Sequence, residues 1–309
     1  MEALLLVVLP VFVVVGFGYI AVWSKIFPES GVDGLMVFTQ KFAIPCLLFT
    51  AISKLDLGES FHLPLLASFY TGALTGFLLG LFGARYLFGR DWEDAVAVGF
   101  IGLFSNSLLL GVPITERAYG TEALSGNFAI IAIHSPLCYG IGITVMEIVR
   151  ARGQAGGAMA RAVLKAMFSN ALIIGVSAGL IVNLTGLTLP APLTEGLEMM
   201  SRAALPAALF GMGGVLYFYR PEGDLRLIFY IVVVSLVIHP LITFGLAESF
   251  DLSDAALRSA VMTAAMAPGV NTYVFANMYG RARRVAASAV LIGTGLTVIT
   301  AWVWLSVLP

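Results

Sequence analysis

The sequence has little charge for its length. Asp, Glu, Lys and Arg make up 11% of the 309 residues, whereas soluble domains carry about 25%. Hydrophobic residues reach 59%, and the mean hydropathy is +0.96. This composition excludes an ordinary soluble domain and indicates an integral membrane protein whose surroundings are the lipid bilayer.

The chain also lacks a basic excess and has few cysteines. The net charge is −1, so we expect no nucleic-acid partner, since such partners require a basic patch or stripe. The two cysteines, Cys46 and Cys138, lie in apolar runs and predict neither a disulfide framework nor a metal site. No HExxH motif and no pair of membrane carboxylates is present, so we expect no enzyme, no catalytic residues and no cofactor.

Apolar segments of about 20 residues, the length that crosses a bilayer, recur along the whole chain. The first is expected to be an uncleaved span, because Glu2 stands where a signal peptide carries basic residues. We predict ten spans, at residues 3–23, 35–53, 63–87, 94–118, 123–149, 163–184, 195–218, 225–248, 254–279 and 284–308.

The two halves of the chain resemble each other. KFAIPCLLF at residues 41–49 aligns with RAALPAALF at 202–210, and at nearly the same offset DWEDA at 91–95 aligns with DLSDA at 251–255. Five spans in each half would make the second half enter the membrane from the opposite side, which is the inverted repeat of secondary transporters. The predicted division is a first repeat at 1–149, a linker at 150–162 and a second repeat at 163–309.

The distribution of basic residues sets the expected orientation. With the N-terminus outside, only Lys54, Arg117 and Arg258 fall on the outer side. The cytoplasmic side receives Lys25, Arg85, Arg90, Arg150, Arg152, Arg161, Lys165, Arg220, Arg226, Arg281, Arg283 and Arg284. By the positive-inside rule we expect a protein of the cell (inner) membrane with both termini outside and the linker in the cytoplasm.

Two predicted spans are interrupted at their centres, the fourth by SNSLLLGVP and the ninth by APGVNT. Proline removes a helical N–H and clashes with the preceding turn, and broken backbone at membrane depth is tolerated only inside protein or beside a wet cavity. Free N–H groups at half-helix N-termini suit an anion, and we expect them around Gly111 and Pro113 and around their counterparts in the ninth span. The expected substrate-binding residues are Asn106, Ser105, Ser107, Gly111, Pro113, Pro268, Gly269, Asn271 and Thr272.

Three further residues are candidates for substrate contact or ion coupling. Lys41 and Arg202 nearly coincide under the repeat and lie inside the second and seventh spans, where a cation must pair or reach the interface. His134 lies near the middle of the fifth span and could carry a coupling proton or pack as a hydrogen-bonded residue. Ordinary proline kinks remain the alternative for the two interrupted spans.

The stretch SNSLLLGVPITERAYG resembles the fourth span of the auxin efflux carrier family, whose plant members carry Pro-Asn-Thr, then Gly-Ile-Pro, then Tyr-Gly. KFAIPCLLF resembles the second span of that family, and VFANMYG its ninth. In this resemblance Asn106 matches the asparagine that binds the substrate carboxylate, and Pro113 matches the Gly-x-Pro proline. Ser105 stands where plant members have proline, so a small organic acid other than auxin is expected.

The resemblance implies an all-α membrane protein of ten helices in two inverted five-helix repeats, with broken helices 4 and 9 that cross, as in sodium/bile-acid symporters and NhaA. It further implies a scaffold of spans 1, 2, 6 and 7, a mobile transport domain of spans 3–5 and 8–10, and usually a homodimer through the scaffold. The expected function is an elevator-type secondary carrier of a small organic carboxylate. A sodium-coupled organic anion symporter is the alternative, and coupling to H⁺ or Na⁺ stays open. A cation/proton antiporter is disfavoured, because neither broken segment holds a carboxylate.

Overall fold

The computed structural model of the protein describes residues 4–151 and 171–309. These two ranges consist of helices and short connections, with no strand in either of them. Seven of the helices are long and apolar enough to cross a membrane: α1 (Leu4–Trp23), α2 (Glu29–Ser53), α3 (Leu63–Leu87), α6 (Thr121–Arg150), α8 (Ala191–Phe218), α9 (Leu225–Ser249) and α12 (Arg283–Val307). Each of the seven coincides with a predicted span.

The predicted fourth and ninth spans are each built from two shorter helices. The fourth comprises α4 (Trp92–Leu103) and α5 (Val112–Tyr119), with a π turn at Ser107–Gly111 leading into α5. The ninth comprises α10 (Asp254–Ala264) and α11 (Val270–Tyr279). The interruptions expected from the sequence are therefore present in the fold.

The predicted sixth span is described only in part. Its described portion forms α7 (Ala171–Thr185), a short apolar helix. Residues 152–162 of the predicted linker and the first residues of that span, 163–170, lie outside the described residues.

The second helix begins earlier than predicted. The prediction placed its start at residue 35, but α2 begins at Glu29, directly after Pro28 in extended conformation. The sequence ESGVDG is too polar to be recognised as part of a span. Proline nevertheless favours a helix start at this point, because a helix's first N–H groups have no intrahelical partner.

The described helices pack in two groups. In the smaller group α8 packs against α1 and α2, and α7 packs against α2. In the larger group, made of α3–α6 and α9–α12, the main pairs are α3 with α4 and α9, α9 with α10, α4 with α6, and α11 with α12. Contacts between the groups are fewer, and they involve α6 with α2 and α7, the start of α1 with α5 and α12, and the π turn with α8.

Glycines allow the closest helix pairs within each group. Gly18 of α1 lies against the backbone of Phe210 in α8, and Gly76 of α3 lies against the backbone of Gly102 in α4. A Cβ at either glycine would overlap the facing carbonyl oxygen. Small residues let membrane helices approach until their backbones touch, which strengthens dispersion contacts.

Ion pairs also stay within the groups. Among the described residues, Lys54 and Arg202 pair with Glu198 inside the smaller group, and all other ion pairs join members of the larger group or its connections. Arg281, between α11 and α12, places its Nε 2.9 Å from Glu93 Oε2 and its Nη1 3.1 Å from Asp91 Oδ2. The hydrogen bond to Glu93 raises the pKa of Arg281 above its ordinary value, so the guanidinium remains charged and links these ends of α4, α11 and α12.

Candidate functional site

The two interrupted stretches meet and pair through their backbones. The Asn106 N–H donates to the Ala267 carbonyl at 2.7 Å, and the Gly269 N–H donates to the Phe104 carbonyl at 2.9 Å. These two bonds form an isolated antiparallel bridge between Ser105 and Pro268. Buried backbone groups need partners, and each break supplies partners for the other.

The first break lies before the position that proline suggested. α4 ends at Leu103, and the chain becomes helical again at Ser107. The Gly111 N–H donates to the Asn106 carbonyl at 3.2 Å, and Pro113 occupies the first turn of α5. The expectation of free N–H groups around Gly111 and Pro113 was therefore wrong. The N–H groups without an intrahelical acceptor belong to the first turn after Asn106, beginning at Ser107.

The second break runs from the end of α10 at Ala264 to the start of α11 at Val270, with Gly269 in extended conformation. The Gly269 N–H is not free, since it donates to the Phe104 carbonyl. The Thr272 side chain is fully buried, and its hydroxyl donates to the Gly269 carbonyl at 2.7 Å. Thr272 therefore stabilises the first turn of α11. The expectation of a free N–H group at Gly269 was wrong, because that group is already bonded.

A cavity of about 510 Å³ opens beside the crossing. Six predicted residues line it together: Lys41, Ser105, Asn106, Ser107, His134 and Asn271. Its other lining residues are mainly apolar and come from α2, α6, α7 and the two interrupted stretches, with the amide of Gln40 among them. Small-molecule sites measure about 300–1,000 Å³ and combine apolar walls with few polar groups, so this cavity is the candidate functional site.

Asn106 lies at the start of the half-helix that runs into α5, with 5% of its surface exposed. Its amide nitrogen donates to the Met212 sulfur of α8 at 3.4 Å. No other hydrogen bond of this side chain occurs within the described residues. A thioether is a weak acceptor, so a stronger acceptor in the cavity would compete for this amide.

Two serines flank Asn106 in the cavity wall. The hydroxyls of Ser105 and Ser107 are 2.8 Å apart and nearly fully buried. On the facing stretch, the Tyr139 hydroxyl donates to Asn271 Oδ1 at 3.2 Å. That bond leaves the amide N–H groups of Asn271 available as donors.

His134 and Lys41 differ in their surroundings. His134 is 3% exposed, its ring lies 4.6 Å from that of Phe104, and its Nδ1 lies 3.7 Å from Cys138 Sγ. The Nε2 atom has no partner among the described residues. Lys41 is exposed and makes no ion pair in the described ranges. Among the described residues that line this cavity, Lys41 therefore supplies the positive charge that could attract an anion.

Arg202 and Pro113 lie elsewhere. Both line a second cavity of about 800 Å³, together with Lys54, Glu116 and Arg117. The Arg202 side chain is 77% exposed, with its Nη2 3.9 Å from Glu198 Oε2. The structure therefore separates Arg202 from Lys41, although the repeat pairs them. Gly111, Pro268, Gly269 and Thr272 shape the crossing and line neither cavity.

Met212, Gln40 and Tyr139 take part in the site without having been predicted. Gln40 is a polar residue next to Lys41, and this position was the signal that could have found it. A methionine or tyrosine in an apolar helix is ordinarily a packing residue.

Broken, crossing helices around a polar cavity, in a chain of long apolar helices, are typical of membrane transport proteins. A family model described as a membrane transport protein matches residues 3–305. The chain therefore belongs to this family, which includes the auxin efflux carriers, and the resemblance seen in the sequence is confirmed. Family and helices together indicate a multi-pass membrane protein.

Three relatives illustrate the range of the family. A Rhizobium meliloti (strain 1021) protein named "Putative malonate transporter" is 25% identical over 300 residues, covering 95% of this chain and 92% of that protein. An uncharacterized transporter of Methanothermobacter thermautotrophicus (strain Delta H) is 27% identical over 276 residues, covering 84% and 86%. The auxin efflux carrier component 8 of Arabidopsis thaliana is 22% identical over 345 residues, covering 92% and 91%.

The family and the names of the relatives assign the protein to transport and not to enzymes, as the sequence predicted. Residues Gly175, Ser177 and Gly179 match the G-x-S-x-G spacing of a hydrolase nucleophile. They lie inside the continuous helix α7, and Ser177 is exposed. A nucleophile of that class requires a strand-to-helix turn, so the match has no catalytic meaning.

Proposed function

We propose that the protein is a secondary active carrier that moves a small organic carboxylate across the cytoplasmic membrane. The observation that carries this proposal is the buried Asn106 amide. It is held by a thioether at the start of a half-helix, in a cavity with apolar walls and a few polar groups. A carboxylate that replaced Met212 as acceptor would gain a charge-assisted hydrogen bond, which is roughly twice as strong as a neutral one.

The cavity offers the compensation that an anion needs on leaving water. An isolated carboxylate in a low-dielectric site is costly unless it is paired and hydrogen-bonded. The first turn after Asn106 adds unpaired N–H groups and the positive end of the helix dipole. Lys41 adds a formal charge. The Asn106 amide carries no positive charge, so it binds the anion without forming a buried ion pair. The anion can therefore be held and still released.

The substrate is proposed to be a dicarboxylate of about the size of malonate. The Rhizobium meliloti relative carries malonate in its name, and the cavity contains two separate anion-attracting elements, the half-helix at Asn106 and the ammonium of Lys41. In this arrangement Asn106 and the helix start hold one carboxylate, and Lys41 attracts the other.

Transport is proposed to follow an elevator motion, with the smaller group as scaffold and the larger group as transport domain. This matches the division into spans 1, 2, 6 and 7 against spans 3–5 and 8–10, within ten spans and two inverted repeats. The absence of described ion pairs between the groups supports it, since no such pair has to break during the motion. The Asn106–Met212 contact between the groups is weak and easily exchanged.

The proposed orientation places both termini outside and the two cavities on opposite sides of the crossing. α2 then runs from cytoplasmic Glu29 to outer Ser53, so the cavity with Lys41 lies toward the cytoplasm and the cavity with Lys54 toward the outside. A homodimer through the smaller group would leave the larger group free to move.

The test is direct binding to the purified full-length protein. Calorimetry with malonate, acetate and indole-3-acetate should give binding for malonate, weaker binding for acetate and none for indole-3-acetate. Absence of carboxylate binding at any concentration up to the millimolar range would reject the proposal. A sodium-coupled symporter of the same anion is the alternative, and the same titrations in sodium and in choline salts separate the two.

A further inference from the structure

An oxygen atom deep in the larger group has no partner among the described residues. Asn127 of α6 is fully buried, and its Nδ2 donates to Thr263 Oγ1 at 2.8 Å and to Thr115 Oγ1 at 3.4 Å. Its Oδ1 accepts no hydrogen bond in the described ranges. Buried polar atoms are rarely left unpaired, and each one requires an explanation.

The orientation of this amide follows from its neighbour. The Thr263 hydroxyl donates its only hydrogen to the Ser259 carbonyl at 2.6 Å. Thr263 can therefore only accept from Asn127, so the amide nitrogen must face it and Oδ1 must point elsewhere. The unpaired oxygen is thus a consequence of the bonding pattern.

The backbone beside Thr263 adds further acceptors without donors. The N–H of Ala267, which would bond the Thr263 carbonyl in a continuing helix, donates instead to the Thr297 hydroxyl at 3.1 Å. The Ala264 carbonyl has no helical donor, because residue 268 is proline. Both carbonyls lie at the C-terminal end of α10, where the helix dipole is negative. The cluster is rich in oxygen acceptors and lacks hydrogen atoms to fill them.

We propose that a monovalent cation of sodium's chemistry binds at this cluster, between α5, α6 and α10, on Asn127 Oδ1, which the Thr263 and Thr115 hydroxyls orient by accepting from the amide nitrogen. Carbonyl, amide and hydroxyl oxygens are the ligands of hard cations. No group of three or more acidic, His or Cys side chains that could hold a metal ion occurs among the described residues, which disfavours a divalent ion. A buried water is the competing occupant.

The cluster lies close to the crossing, and residues that neighbour it in sequence line the second cavity. Pro113 on α5 and Ser125 and Phe128 on α6, which neighbour Thr115 and Asn127 in sequence, line the second cavity. Asn127, Thr115 and Thr263 themselves are fully buried and line neither cavity, so entry of an ion from that cavity would require a local opening of α5 and α6. A Cβ placed on Gly111 would lie 3.9 Å from the Thr263 Cα, and the Gly111 N–H binds the Asn106 carbonyl. An ion on Asn127, beside Thr263, therefore acts close to the turn that presents Asn106, and its role as coupling ion rests on the proposed carrier function.

The test is thermal unfolding of the purified protein in NaCl, KCl and choline chloride at equal ionic strength, without any carboxylate. We expect sodium alone to raise Tm saturably, by about 2 °C at ten times its Kd. Asn127→Ala and Thr263→Val should lose the sodium-dependent rise. The control Thr243→Val, which changes another fully buried threonine with an unpaired hydroxyl oxygen, should keep it.

Equal Tm values of the parent protein in the three salts would overturn the proposal and assign the cluster to water. A sodium effect that persists in both cluster variants would overturn it as well. If Asn127→Ala does not fold, the nearly isosteric Thr115→Val and radioactive sodium binding to the parent protein decide the matter. Malonate titrations in sodium and in choline then test the coupling separately, since sodium binding without any malonate binding would contradict the carrier function and leave the ion site intact.

Discussion

The amide nitrogen of Asn106 lies 3.4 Å from the sulfur of Met212, across the boundary between the two helix groups. In the proposed carrier, a weak bond at this place would hold the donor in position when the cavity is without an anion and would yield when an anion enters. Met212 belongs to the helix that would remain fixed, and Asn106 to the part that would move. The contact would therefore link substrate binding to the proposed motion between the two groups.

The first prediction concerns Asn106. Asn106→Ala should weaken malonate binding by roughly 10- to 150-fold, since a hydrogen bond to a charged group contributes about 1.5–3 kcal/mol. Calorimetry on the purified variant measures the change. The control is Asn277→Ala, which removes an exposed asparagine of α11 that lines neither cavity. An unchanged affinity of Asn106→Ala for malonate would show that the binding site does not lie at the crossing.

The second prediction concerns Met212. Met212→Leu conserves volume, so its cost in stability should stay below about 1.5 kcal/mol. In the proposal a bound carboxylate replaces the Met212 sulfur as acceptor of the Asn106 amide. The malonate affinity of Met212→Leu should therefore be equal to or higher than that of the parent protein. A large loss of affinity with an unchanged Tm would show that the sulfur itself contributes to the bound state.

The third prediction distinguishes the two ends of the substrate. Lys41→Gln should weaken malonate binding at least several-fold and leave acetate binding nearly unchanged, because acetate has no second carboxylate for the ammonium. Lys54→Gln is the matched control directly after the same helix, since Lys54 lines the other cavity and pairs with Glu198 at 2.9 Å. Equal losses for both acids in Lys41→Gln would contradict the assignment of Lys41 to the second carboxylate.

The fourth prediction concerns the motion. The cysteine pair Leu6→Cys and Arg117→Cys places one thiol on each helix group. In the parent protein the Arg117 guanidinium donates to the Leu6 carbonyl at 2.7 Å, so the two positions are close together. A short bifunctional thiol reagent on this pair should stop transport in vesicles. Lys54→Cys with Glu198→Cys lies within the smaller group, and its crosslink should leave transport intact. Both pairs are introduced after Cys46 and Cys138 are replaced by alanine. Unimpaired transport through the crosslinked Leu6–Arg117 pair would refute the motion.

The fifth prediction concerns orientation. Single cysteines at both termini should react with an impermeant thiol reagent in intact cells, and a cysteine in the segment 150–162 should react only after the membrane is opened. The reason is the excess of basic residues on the proposed cytoplasmic side. A labelled segment 150–162 in intact cells would reverse the topology.

The sequence by itself determined the helices and the regions where they break. An apolar run of spanning length must form a helix in lipid, because helices satisfy their own backbone groups, and this reasoning located seven spans. The polar and helix-breaking residues at Ser105–Pro113 and Pro268–Thr272 located both interruptions. The family resemblance rested on the same stretches and was confirmed by comparison.

Only the tertiary structure decided where each break lies and which residues share a cavity. The first break is set by the hydrogen bonds between Asn106 and Ala267 and between Gly269 and Phe104, partners far apart in sequence that no local rule connects. Proline position alone therefore misplaced the free N–H groups. Lys41 and Arg202 are paired by the repeat predicted from the sequence but line different cavities, because the surroundings of a side chain depend on how its helix packs and not on its place in the sequence.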